Sequence, residues 1–257
     1  LINIPEEKKK NFHAFIVRKQ IRSEPIFKRA VRPVLRKQWL DAAKSVADGN
    51  HNIKYDIARY SNEMLNAYIR SYTVLGEDFF KFSMRFINNE KSINNNFETK
   101  DTESIFDQVF ANWSKTEALR KVTTIIDPNT IEAIRAIIDK GVKDDKSNKQ
   151  IAKDIRDNEP SLNKFRAERI AATEIHSVFS EVVDTAVKSS GLQVARKEWG
   201  SFLDERTREN HVIANGQSVA EDDLFIVGPD RMRFPGDITA SAGNIIFCRC
   251  VAFYYTR

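Results

Sequence analysis

Residues that interrupt helices are sparse over most of this chain and denser toward its end. Nine glycines and seven prolines serve 257 residues, and the pairs Gly228-Pro229 and Pro235-Gly236 both fall after residue 225. Within a helix, glycine costs about 1 kcal/mol and proline about 3 kcal/mol relative to alanine. A chain poor in both can run in long helices, and one that concentrates them must turn often. The expectation is an α+β protein: a mainly helical N-terminal region, residues 1–145, followed by a small C-terminal α+β domain with a few short strands, residues 146–257.

Apolar spacing supports that division. From Phe27 to Val46, Ala30, Val31, Val34, Leu35, Trp39, Leu40 and Ala43 recur at three- and four-residue intervals, and Pro33 is expected to start or kink this helix. Ile53 to Phe86 repeats the theme through Ile57, Tyr60, Met64, Tyr68 and Tyr72 to Phe79, Phe80, Phe82 and Phe86, with Gly76 as a break. Residues 88–100, rich in asparagine, read as an exposed loop, after which Thr102 can cap a helix carrying Ile105, Val109 and Trp113. Asp127-Pro128 has the form of an N-cap followed by a first-turn proline, and Gly141 reads as a stop. Ser147 and Gln150 have capping-box spacing, Pro160 should end the short helix they begin, and Ser161 should cap the next. That next helix runs from Leu162 to about Ser190 and closes at Gly191. Strands are expected at Val194–Trp199, Leu224–Val227 and Ile245–Tyr255.

Charge and cysteine content narrow the function classes. The net charge of +5 is uneven, with +7 in residues 1–50 and −2 in the rest. A basic leader containing Arg29, Arg32, Arg36 and Lys37 suits double-stranded DNA or an acidic protein surface, and equally suits a solvated helix face. Two cysteines one residue apart cannot form a disulfide framework, so a reducing compartment is expected. No apolar run is long enough to cross a bilayer and no leader opens the chain, so the expectation is a soluble intracellular protein, or one packaged from an intracellular pool, without a membrane anchor. The first residue is Leu, which fits a fragment or a processed product.

The chemistry-bearing letters gather in the last sixty residues. Asp204, Arg206, Thr207 and His211 suggest a turn into a short helix that Asp204 could cap, with Thr207 and His211 sharing a face at i, i+4. Cys248 and Cys250, two apart on an expected strand, should face the same way. With His211, and Asp204 as a fourth candidate, they could hold zinc tetrahedrally. One intervening residue is not the usual zinc spacing, so Cys250 as a small buried hydrophobe stands ahead of the metal, and no cofactor is expected as the first reading. Thr173-Glu174 could pair with Arg169 or Arg208 in a structural salt bridge. No phosphate loop, H-E-x-x-H or nucleophile elbow is present.

The ordered set Thr173-Glu174, Gly191, Trp199, Asp204, Arg206, His211, Gly216, Phe225, Pro235, Asp237 and Cys248-Arg249-Cys250 resembles the Mu F-like (SPP1 gp7-like) minor head proteins of tailed bacteriophages. The resemblance covers residues from about 147 to 254. An alanine stands where the family pattern has arginine before Thr173-Glu174, and Phe247 stands where it has asparagine. The resemblance implies a minor capsid protein, present in few copies in the procapsid and virion beside the portal vertex after assembly in the host cytoplasm. It implies contact with the portal protein and with major capsid or scaffold proteins, and a role in DNA packaging, retention or ejection. It also implies that Thr173, Glu174, Trp199, Asp204, Arg206, His211, Pro235, Asp237, Arg249 and Cys250 knit the C-terminal domain together rather than catalyse. The alternative is a metal-dependent hydrolase or nuclease using His211, Asp204 and the Cys248/Cys250 pair.

Overall fold

A computed structural model describes residues 6–94 and 99–257, with side chains placed over 8–87 and 107–257. Helices α1 (Glu6–Ala47), α2 (Lys54–Ala58), α3 (Ser61–Asn94) and α4 (Thr99–Lys121) come first. A π-helical turn (Val122–Ile126) leads into α5 (Asp127–Lys143), and α6 (Asn148–Ser189) follows. The rest comprises β1 (Val194–Gly200), α7 (Glu209–Ala214), β2 (Ser218–Val219), β3 (Phe225–Val227), β4 (Asp230–Met232), α8 (Ala242–Ile245) and β5 (Val251–Thr256). The protein is therefore α+β as expected, with long helices ahead of a small region of short antiparallel strands. No helix among the described residues is long and apolar enough to cross a membrane.

The chain forms two compact units, each assembled from separated stretches. One draws on Pro25–Tyr72 and Trp113–Ile170. Its core joins Trp39, Ala42, Ala43, Val46, Ile53 and Ile57 to Ile134, Ile138, Ile151, Ala152 and Ile155. The aromatic ring of Phe27 meets Tyr68 edge-on, with centroids 4.9 Å apart, and Tyr72 stacks toward Trp113 at 5.3 Å.

Several expected breaks are absent here, for physical reasons. Pro25 and Pro33 lie inside α1, and Pro160 lies inside α6. Around Pro33, Val31, Val34 and Leu35 are all buried, and that packing outweighs one missing amide bond. Asp127 is no N-cap, because the helix arrives through the π turn already in helical geometry. Its carboxylate instead accepts hydrogen bonds from Gln38 Nε2 at 2.9 Å and Ser61 Oγ at 2.5 Å. Gly141 lies in the last turn of α5 against Ile151, and Asp145, at φ 52°, makes the left-handed exit. The capping box is formed: Ser147 N donates to Gln150 Oε1 at 2.8 Å and Gln150 N to Ser147 Oγ at 3.4 Å.

The other unit draws on the chain up to Glu24, on Thr73–Asn112 and on Ala171–Arg257. Gly76 does not break α3. Its missing Cβ leaves room for the Phe110 ring, which a methyl group there would meet at 2.0 Å. The expected loop at 88–100 is narrower than read, since α3 runs to Asn94 and α4 begins at Thr99. Thr102 therefore lies within α4, and 95–98 lie outside the described residues.

Gly191, at φ 72°, closes α6 as expected, and β1 then pairs antiparallel with both β2 and β5. Trp199 sits opposite Ala252 in that register. A second ribbon pairs Phe225 with Met232 around Gly228-Pro229. The closing strand is shorter than read, because α8 takes Ala242–Ile245 and Ile246–Cys250 is irregular before β5.

Candidate functional site

The site is built on the second of these units, where β1 ends and the chain turns back. Trp199 is fully buried with Phe225, Val227, Met232 and Ile245, and its Nε1 donates to Ser201 Oγ at 3.1 Å. The single hydroxyl proton of Ser201 goes to the carbonyl of His211 at 2.6 Å. Asn215 Oδ1 accepts the Ser201 amide at 2.8 Å. These bonds dock α7 against β1, so His211 points into the core with its ring edge-on to Trp199.

Asp204 does not cap α7. It makes a side-chain turn instead, accepting the Arg206 amide at 3.1 Å and the Thr207 hydroxyl at 3.1 Å, while Arg208 precedes the helix. Thr207 therefore lies outside the helix and does not share a face with His211. The Asp204 carboxylate is clamped by Arg249, with Nη1 to Oδ2 at 2.8 Å and Nη2 to Oδ1 at 2.6 Å. Hydrogen bonds from Arg249 hold that carboxyl well below the usual carboxylate range. With both oxygens occupied, Asp204 stands outside the group of side chains that converge as metal donors. The Arg249 guanidinium lies 4.9 Å from the Phe202 ring centroid, and its carbonyl accepts from His13 Nε2 at 2.6 Å.

Cys248 and Cys250 do face the same way, though from irregular chain rather than a strand. Both are free and buried. His211 Nδ1 lies 3.2 Å from Cys250 Sγ and 3.7 Å from Cys248 Sγ, and the three donor atoms all fall within 4.8 Å of one another. Cys250 is the sulfur that ionises more readily, because the Cys248 thiol donates to it and His211 is beside it. Burial and the neighbouring Cys250 charge push the Cys248 thiol up. A small cleft lined by Phe202, Arg206, Thr207, Arg208 and Phe247 opens onto the three side chains.

The remaining motif residues brace this region against α6. Asp237 accepts the Arg233 amide at 2.8 Å, the Arg233 Nε at 3.2 Å and the Thr239 amide at 3.1 Å. Burial alone would raise its pKa, but those donors bring it below the ordinary value. Arg233 also reaches Glu181 at 3.0 Å. Pro235 leads into Gly236, which at φ 84° passes so close to His176 that a Cβ would meet its Cδ2 at 2.6 Å. His176 is buried beside Gln20, whose Nε2 is 3.4 Å from its Nδ1, and burial lowers its pKa to about 3. Thr173 Oγ1 accepts the Phe247 amide at 3.3 Å. Phe247 adopts φ 54°, a left-handed conformation that asparagine tolerates far better than phenylalanine. The expected partners of Thr173-Glu174 are otherwise engaged: Arg208 donates to the Ile246 carbonyl, and Arg169 lies over the Phe165 ring.

In the helical unit, Arg29, Arg32 and Arg36 are exposed on one face of α1, spaced i, i+3, i+7, and have no ion-pair partner among the described residues. Lys37 is tied to Glu63 at 2.6 Å.

Ser201, His13, His176 and Arg233 belong to this site without being among the expected site residues. Arg233 had a local signal, four residues before Asp237; His13 and His176 had none, because only the tertiary fold brings them there.

Residues 132–253 match the family described as Phage Mu protein F like protein. No curated protein and no solved structure matches the chain.

Proposed function

We propose, from the match of residues 132–253 to the Mu F-like phage head morphogenesis family, that this protein is a minor head protein of a tailed bacteriophage, held in few copies at the portal vertex. The observation that carries the reading is the family match over the same stretch in which the ordered motif was read. The use of the motif residues supports it. Asp204 is spent on Arg249, Asp237 on Arg233, and Thr173 on the Phe247 amide. Groups so committed to one another hold a shape, whereas a general base needs a free lone pair facing a substrate. That is why we place the protein among structural components rather than enzymes, and why the hydrolase reading loses Asp204 from its machinery.

The partners follow from the same reading: the portal protein first, then major capsid or scaffold proteins. Arg29, Arg32 and Arg36 form an unpaired cationic stripe that suits DNA phosphates or an acidic protein surface. Co-expression with the portal and major capsid proteins, followed by mass spectrometry of isolated procapsids, tests the proposal. The expected result is a low, reproducible copy number that vanishes when portal is omitted. Absence from particles assembled with portal would overturn it.

A further inference from the structure

We propose that His211, Cys248 and Cys250 together bind one zinc ion, with the fourth coordination position opening onto the cleft beside Phe202, Thr207 and Phe247. This inference does not depend on which particle the protein joins.

The donor set comes first. Two sulfurs and one imidazole nitrogen form a soft, borderline set that suits zinc and is foreign to magnesium or calcium, which take oxygen. All three residues are at least 96% buried, with exposures of 2%, 4% and 3%. The spacing is the second point. With zinc–nitrogen bonds near 2.0 Å and zinc–sulfur bonds near 2.3 Å, the edges of a tetrahedron are about 3.5 Å from nitrogen to sulfur. The observed separations of 3.2 Å and 3.7 Å bracket that value. Charge also closes, since two thiolates neutralise one divalent ion.

The fourth ligand is not supplied by this cluster. Ser201 Oγ is 3.5 Å from Cys250 Sγ, but its proton is committed to the His211 carbonyl and it accepts from Trp199. Asp204 is clamped by Arg249. The open position therefore takes water from the cleft.

Such an ion has a mechanical use. The segment Ile246–Cys250 belongs to no strand and is fixed by side chains: Arg208 on the Ile246 carbonyl, Thr173 on the Phe247 amide and His13 on the Arg249 carbonyl. Zinc would add a bond from α7 through His211 to both cysteines, locking the last loop before β5.

The test uses the full chain, saturated with zinc and freed of excess by gel filtration. Plasma mass spectrometry should find one zinc per chain. Replacing zinc with cobalt(II) should produce an intense thiolate-to-metal absorption in the near ultraviolet, which Cys248→Ser and Cys250→Ser each remove. Because either variant could fail to fold, a second measurement stays with the unaltered chain. Titrating its thiols with an organomercurial should release one zinc for every two thiols modified. Substoichiometric zinc after saturation, no charge-transfer band in the folded chain, or thiol modification without zinc release would each overturn the proposal.

Discussion

The helical core around Trp39 and the C-terminal core around Trp199 both bury a tryptophan completely, and they hold it by different means. Trp39 lies among aliphatic side chains of helices whose backbone bonds are internal, and its Nε1 has no hydrogen-bond partner among the described residues. Trp199 sits in a smaller core whose loops borrow hydrogen bonds from side chains. Gln217 imitates a strand, donating to the Ile226 carbonyl at 3.0 Å and accepting its amide at 2.7 Å. Asn244 reaches the Val227 carbonyl, and Asp237 collects two amides. Helices satisfy their polar backbone locally, so their side chains can be plain. Irregular chain cannot, so its side chains must be specific.

The largest expected effects come from removing each tryptophan. Trp39→Ala and Trp199→Ala should each cost about 3–5 kcal/mol in urea unfolding. They should differ in where the damage shows: Trp199→Ala also releases Ser201 and the His211 ring, so Cys248 and Cys250 should become reactive to thiol reagents under native conditions. Trp39→Ala should leave them protected. Equal thiol reactivity in the two variants would erase the contrast.

Acid should separate the regions next. His176, with a pKa near 3 when folded, stays neutral while the unfolded chain protonates near 6.5. Its contribution is full above pH 6.5 and is lost progressively as pH falls toward 3, at most about 1.4 kcal/mol per pH unit. His13, also lowered by burial, acts with the same sign, and the depressed Asp237 adds to the loss in the most acid range. Asp127 works the other way, since burial raises its pKa and protonation relieves a cost. Segment-resolved hydrogen exchange at pH 7 and pH 4.5 should show residues 194–257 losing protection while 127–143 keep theirs. Parallel loss in both would break the comparison.

The smallest effect should carry the opposite sign. Among the described residues, three that are not glycine take left-handed backbone: Asp145 in the helical unit, Leu203 next to Asp204, and Phe247 next to Cys248. Aspartate tolerates that conformation and the other two do not, so strain is stored beside the site. Phe247→Asn should stabilise the protein by about 1 kcal/mol, read as a higher urea midpoint, with Asp145→Asn near neutral. A lower midpoint for Phe247→Asn would mean that the contacts of the phenylalanine ring outweigh its backbone strain.

Those residues also mark what could be read from the letters. Helical phase around Trp39, the capping box at Ser147 and the stop at Gly191 are local, and local periodicity exposed them. Pro33 and Gly76 do not break their helices because packing outweighs their helix costs, through Val31, Val34 and Leu35 around the one and the Phe110 ring against the other. Pro160 also stays within α6, among neighbours that are mostly exposed. The Asp204–Arg249 clamp joins two motif residues across 45 positions, and no spacing rule reaches that far. The same holds for His176 against Gly236, where a close approach is visible only once α6 and the Pro235 turn are placed together.

The bond from His13 to the carbonyl of Arg249 joins residues 236 positions apart, and Lys9 reaches Glu198 across 189. Translation proceeds at roughly 5–20 residues per second, so on the order of ten to fifty seconds separate the synthesis of the two ends of that first bond. Throughout the wait, His13 lacks the carbonyl it bonds in the finished protein. A ribosome that stalls before Arg249 therefore leaves the first helix without that tie, and the yield of folded protein depends on how well the helix is kept from other partners until the last stretch emerges.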